Sequence, residues 1–171
     1  MFKKKISHLI VSVSLLFLLT LTACSPQPPS RFEQAQQDSI AAGNKNTAVS
    51  EDAVKGASFN QFFPVSSGDY ERVFTQEKTG FVQAKLKFQG QDVATLAIFD
   101  TISNPTAKND FANATETIKG FPSVEKGSNN TAVLVGDRYQ VSIRSSDPNF
   151  TAEERKEWLN KFDLANLAQQ K

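Results

Sequence analysis

Phe81-Val82-Gln83-Ala84-Lys85-Leu86-Lys87-Phe88, then Gln89-Gly90-Gln91-Asp92, then Val93-Ala94-Thr95-Leu96-Ala97-Ile98-Phe99: this stretch decides the fold class. In its first part Val82, Ala84, Leu86 and Phe88 share one side, and Gln83, Lys85 and Lys87 share the other. That period of two belongs to a half-buried strand. The polar four-residue break reads as a hairpin turn, and residues 93–99 read as a second strand, apolar on both sides and therefore interior to its sheet. Residues 70–77 alternate weakly and stop at Lys78-Thr79-Gly80, which adds a strand in front and makes an antiparallel meander.

Downstream, Asn104 and Pro105 predict a helix start, since Asn caps well and the missing N–H of Pro costs nothing in a first turn. Phe111, Ala114 and Ile118 recur at helical spacing, Gly120 ends the run, and Phe121-Pro122 forbids its continuation. Residues 131–135 and 138–144 flank Gly136-Asp137, a tight hairpin turn, with Tyr139, Val141 and Ile143 inward and Arg138, Gln140, Ser142 and Arg144 outward. Thr151-Ala152-Glu153-Glu154 has the form of a capping box opening a last helix with Trp158, Leu159 and Phe162 on one side, and Asp163 recaps a final short turn. The prediction is an α+β fold, βββαββα, with an antiparallel sheet of about five strands and helices packed on one face. This element order resembles the small sandwich domains of the PsbP type, an analogy without a motif behind it.

The folded part is read as one domain over 58–171, and a different organisation precedes it. Lys3, Lys4 and Lys5 stand before an uncharged run over 9–21, too short to span a bilayer, which ends in Leu21-Thr22-Ala23-Cys24. Basic head, apolar run and small-residue exit are the layout of a secretory signal over 1–23. Leu-Thr-Ala-Cys resembles the lipobox of bacterial lipoproteins, and that resemblance implies cleavage before Cys24 and acylation of its thiol with diacylglyceryl and fatty acyl (palmitate-type) chains. Residues 24–57 then form the anchor and a flexible tether: Pro26, Pro28 and Pro29 extend it, and Ser30-Arg31-Phe32-Glu33 caps a short helix over 33–42. Residues 25–57 as a coil reach roughly 30 Å, enough to clear a headgroup layer. Ser25 is not the aspartate that holds lipoproteins at the inner membrane of enteric bacteria.

Composition narrows function. The chain of 171 residues carries 19 Lys+Arg, 18 Asp+Glu, one His and one Cys. The leader removes three of the lysines and none of the acids, so the mature chain is slightly acidic, and nucleic acid is not a predicted partner. His8 and Cys24 are both lost or consumed in maturation, which excludes a Ser-His-Asp triad, a Cys-His pair and the usual His/Cys zinc shells. No metal and no cofactor is predicted. Asp147-Pro148-Asn149 starts like a calcium loop, but Ala152 and Trp158 stand where an EF-hand needs Gly and Glu. No Gly-rich phosphate loop and no nucleophile elbow occurs. Phe59, Phe62 and Phe63 read as core, with an exposed docking patch as the alternative.

The expected protein is thus not an enzyme. It is a lipid-anchored binding or assembly module facing the periplasm, thylakoid lumen or cell exterior, held to the membrane by Cys24 and contacting a protein partner at a membrane complex through Lys85, Lys87, Arg138 and Arg144. With Val133-Leu134-Val135-Gly136-Asp137-Arg138-Tyr139 and Trp158-Leu159-Asn160-Lys161-Phe162-Asp163-Leu164, the C-terminal half resembles uncharacterised, cyanobacterial-type lipoproteins. Two alternatives belong to other classes: a carrier of a small apolar ligand in a cleft lined by Phe88, Phe99, Phe111 and Trp158, and a carboxylate-based hydrolase.

Overall fold

The computed structural model describes residues 49–170. The signal segment 1–23, Cys24 and the helix read over 33–42 lie outside the described residues. The chain forms an antiparallel sheet carrying helices, as the α+β reading expects, but the sheet has seven strands in place of five.

The strands are β1 (Tyr70–Lys78), β2 (Phe81–Phe88), β3 (Gln91–Asp100), β4 (Glu116–Ile118), β5 (Phe121–Glu125), β6 (Asn130–Val135) and β7 (Tyr139–Ser145). Their order across the sheet is β1-β2-β3-β7-β6-β5-β4. β1 to β3 make the meander. The chain then crosses to the far edge and returns by hairpins, so that β7 closes against β3. Residues Gln89 and Gly90 both take positive φ, the backbone that a two-residue hairpin loop requires.

The extra strands stand where a helix was expected. Residues Pro105–Phe111 form a 3-10 segment, and Glu116–Ile118 is already β4. Asn104, Thr106, Asn109, Asp110, Asn113 and Thr115 all favour other conformations over a helix interior, which leaves too little propensity to sustain one. Lys119-Gly120 is then a hairpin turn between β4 and β5, with φ of 50° and 83°. Pro122 is tolerated within β5, opposite Thr117 of the edge strand β4.

Two helices end the fold: α1 (Ala152–Leu159) and α2 (Leu164–Leu167). The capping box at α1 is complete, with the Thr151 hydroxyl accepting from Glu154 N–H and the Glu154 carboxylate accepting from Thr151 N–H. Trp158, Leu159 and Phe162 are buried, and Asp163 caps α2 through Asn166 N–H. Together with a 3-10 segment, Gly56–Phe62, these helices cover the inner sheet face of Val82, Leu86, Leu96, Ile98, Val141 and Ile143. Phe59, Phe62 and Phe63 are core, 0 to 5 % exposed.

The Pro105–Phe111 segment lies on the opposite face, so the helical elements do not all share one side. Phe111 packs there on Ala132, Leu134 and Val124, covering the β5–β6 end. The outer face of β2, β3 and β7 carries the residues that the alternation turns outward, and it bounds an open hollow.

Burial begins ahead of Ser58, the predicted domain start. Ala53, Val54 and Gly56 are buried against the start of β2. Val54 N–H donates to Asp100 Oδ2 at 3.1 Å, its carbonyl accepts from Gly80 N–H at 2.6 Å, and Ser50 N–H donates to Ser103 Oγ at 2.7 Å.

Candidate functional site

Strand register assembles the candidate site. Lys85 pairs with Thr95, Thr95 with Arg144, and Arg144 with Asn130, which makes one row across β2, β3, β7 and β6 on the outer face. The next row runs Gln83, Ala97, Ser142, Ala132. Small side chains, Thr95 in the first row and Ala97 and Ser142 in the second, leave a hollow of about 330 Å³, bounded by Phe81, Gln83, Asn130 and Arg144.

The four predicted contact cations divide. Lys85, Lys87 and Arg144 lie on this open face. Lys85 Nζ and Lys87 Nζ both pair with Asp92 across the β2–β3 hairpin, Lys87 at 2.8 Å. Hydrogen bonds from the two ammonium groups hold the Asp92 carboxyl below its ordinary range, and the same contact raises Lys87. Arg144 is exposed, and among the described residues no carboxylate pairs with it. Beside it Asn130 is 9 % exposed, and its Oδ1 has no hydrogen-bond partner among the described residues.

Arg138 stands apart from this group. It precedes β7 at the end away from Arg144, and its guanidinium forks onto Asp100 through Nε at 3.0 Å and Nη2 at 2.8 Å. Nη2 also donates to the Asp52 carbonyl. Asp100 is fully buried, so the pair works as a clasp that holds residues 52–54 to the sheet. Burial pushes the Asp100 carboxyl up, but the Arg138 bond and the N–H groups of Val54 and Ile102 outweigh it, and the net direction is down.

A pH dependence follows from that sign. The unfolded carboxyl, near 3.8, holds its proton more tightly than the folded one. The stabilisation is therefore complete above the unfolded value and is lost as pH falls through the lower folded value. Urea unfolding at a series of pH values is expected to show a midpoint falling below about pH 4, with Asp100→Asn less stable at neutral pH and its acid slope shallower. An unchanged slope in Asp100→Asn contradicts the clasp.

A second hollow, about 480 Å³, opens at the start of α1 among Ser128, Asn129, Ser146, Asp147 and Thr151. Arg155 lies at its floor, 3 % exposed. Its guanidinium is already engaged: Nε donates to Thr131 Oγ1 at 2.7 Å, Nη1 to Ser145 Oγ at 2.9 Å, and Nη2 to Glu125 Oε2 at 2.8 Å. These bonds fasten α1 to β5, β6 and β7, which is a structural task.

The aromatics proposed to line an apolar cleft do not meet. Trp158 and Phe88 both contact Tyr70 at the β1–β2 end of the inner face. Phe99 pairs with Phe81 on the outer face, and Phe111 sits on the outer face at the β5–β6 end. Among the described residues no group of three His, Cys, Asp or Glu is placed to hold a metal ion, and no helix is long and apolar enough to cross a membrane.

The outward direction of Lys85, Lys87, Ser142 and Arg144 is readable from alternation. Asn130 and Thr95 escape such a reading, because their place beside Arg144 depends on pairing between distant strands. Comparison with protein-family models, with characterised proteins and with solved structures finds no match to this chain.

Proposed function

We propose that this protein is a lipid-anchored, non-catalytic binding or assembly module on the trans side of a bacterial membrane, and that it holds a protein partner on the open face of its sheet. The carrying observation is Arg144, an exposed cation that pairs with no carboxylate among the described residues, beside a hollow on a part of the outer sheet face that no described element covers. The signal-like leader and the Leu-Thr-Ala-Cys box, with Cys24 as the acylated residue, support the membrane address. Lys85 and Lys87 lie at the rim of the contact, and Arg138 serves the fold.

The full-length lipidated protein, used as bait on detergent-solubilised membranes of its source cells, is expected to retain a specific partner. Ala97→Tyr puts a bulky side chain on the floor of the hollow, where outward side chains face solvent, and is expected to abolish that retention while leaving the thermal unfolding curve within a few degrees. Retention that is indifferent to Ala97→Tyr contradicts the proposal.

A further inference from the structure

We infer that the hollow beside Arg144 receives a carboxylate presented by the partner protein, the side chain of a glutamate or aspartate on a segment lying against the open sheet face. This inference rests on the reading of that face as a partner-binding surface. The outer-face cations flanking Arg144 have their own acids: Lys85 and Lys87 share Asp92, and Lys126 holds Asp110 at 2.6 Å. Arg144 lies between them and has none among the described residues. Its planar fork matches a carboxylate through two parallel N–H bonds, a geometry that an ammonium does not offer.

Asn130, directly opposite Arg144 in the ladder, adds the second half. A side-chain amide that is nine-tenths buried ordinarily has a partner, and here Oδ1 has none among the described residues. That oxygen is closed off from solvent, so the group the amide can offer an incoming carboxylate is its Nδ2 donor. Thr95, Ala97 and Ser142 keep the floor low enough for a side chain to reach both groups. A hollow of about 330 Å³ is at the small end of ligand cavities, which run from about 300 Å³ upward. It has room for one acidic side chain, and the open sheet beside it takes the chain that carries it.

The test uses the full-length lipidated protein in detergent micelles, observed by NMR at the Asn130 side-chain amide and the Arg144 Nε–H. Acetyl-glutamate amide at millimolar concentration is expected to shift both signals saturably. The isosteric acetyl-glutamine amide is expected to bind at least tenfold more weakly. Arg144→Gln should weaken acetyl-glutamate amide roughly tenfold to a hundredfold, the loss expected for one charge-assisted pair. Free glutarate should bind more weakly than the peptide-like probe, because it lacks the backbone amides that lie against the open sheet face.

Absence of any shift with acetyl-glutamate amide, or equal binding of the glutamine probe, overturns the inference. Glutarate binding as tightly as the blocked glutamate also overturns it, in favour of a free small acid. If Ala97→Tyr abolishes partner retention and Arg144→Gln does not, the carboxylate inference fails and the binding-module reading stands. Saturable acetyl-glutamate amide binding in a protein that retains no partner overturns the reading of the face and leaves the chemistry of the hollow.

Discussion

Gly56→Ala is expected to destabilise the domain by about 3 kcal/mol, the upper end of what overpacking costs. Gly56 is buried where the incoming chain crosses the turn between β1 and β2. A Cβ built there falls 2.4 Å from the Lys78 carbonyl oxygen, 2.6 Å from the Phe81 carbonyl oxygen and 2.8 Å from the Lys78 nitrogen. All three are backbone atoms of a paired hairpin, so no side chain can swing aside. Relief comes only by lifting the incoming segment, which breaks the Gly80 N–H bond to Val54 and exposes Phe59, which sits three residues on and is fully buried against Tyr139. For a domain of this size the loss lowers Tm by roughly 10 °C. Thermal unfolding followed by circular dichroism measures it, and hydrogen exchange at Gly80 should rise before that of the β3–β7 ladder. A Tm within about 2 °C of the parent protein contradicts this account of the join.

Cys24→Ser is expected to move the whole population from membrane to soluble fraction, or to leave it as uncut precursor. Without the proposed leader the sequence balance is slightly acidic, and no described helix is long and apolar enough to cross a bilayer. In the proposed lipid-anchored protein attachment depends on acyl chains, each buried CH₂ contributing about 0.8 kcal/mol, and two or three chains anchor stably where one does not. Serine keeps the size of the side chain and removes the thiol that the lipobox resemblance assigns to acylation. Carbonate-washed membranes probed for the protein, with mass spectrometry of its N-terminal peptide, give the answer. Membrane retention of a leader-free Cys24→Ser chain equal to that of the parent overturns the anchor.

Local chemistry made the meander, the 131–144 hairpin and the capped last helix readable. Alternation over Phe81–Phe88 fixes a face without reference to the rest of the chain, and Thr151 and Glu154 mark a helix start by side-chain reach alone. The stretch after Asn104 misleads for the same reason. Phe111 and Ile118 recur at helical spacing, but they belong to opposite faces of the sheet, Phe111 outside and Ile118 within the main core. Tertiary burial overrode a weak local period there. Arg138 shows a further limit: alternation turns it outward, and its long side chain folds back to a buried Asp100 that sequence spacing cannot place nearby. The neighbourhood of Arg144 and Asn130 depends on β7 lying between β3 and β6, a long-range pairing that local periodicity does not encode.

The most direct test places a photo-crosslinking amino acid at Ser142, on the floor of the open face, in the full-length lipidated protein within the intact membranes of its source cells. The account predicts a discrete crosslinked species containing one partner protein, joined through a segment bearing Glu or Asp, and its disappearance when Arg144→Gln is added. Irradiation that yields no species above that from a probe on the covered side of the molecule, or a product that Arg144→Gln leaves unchanged, would contradict it.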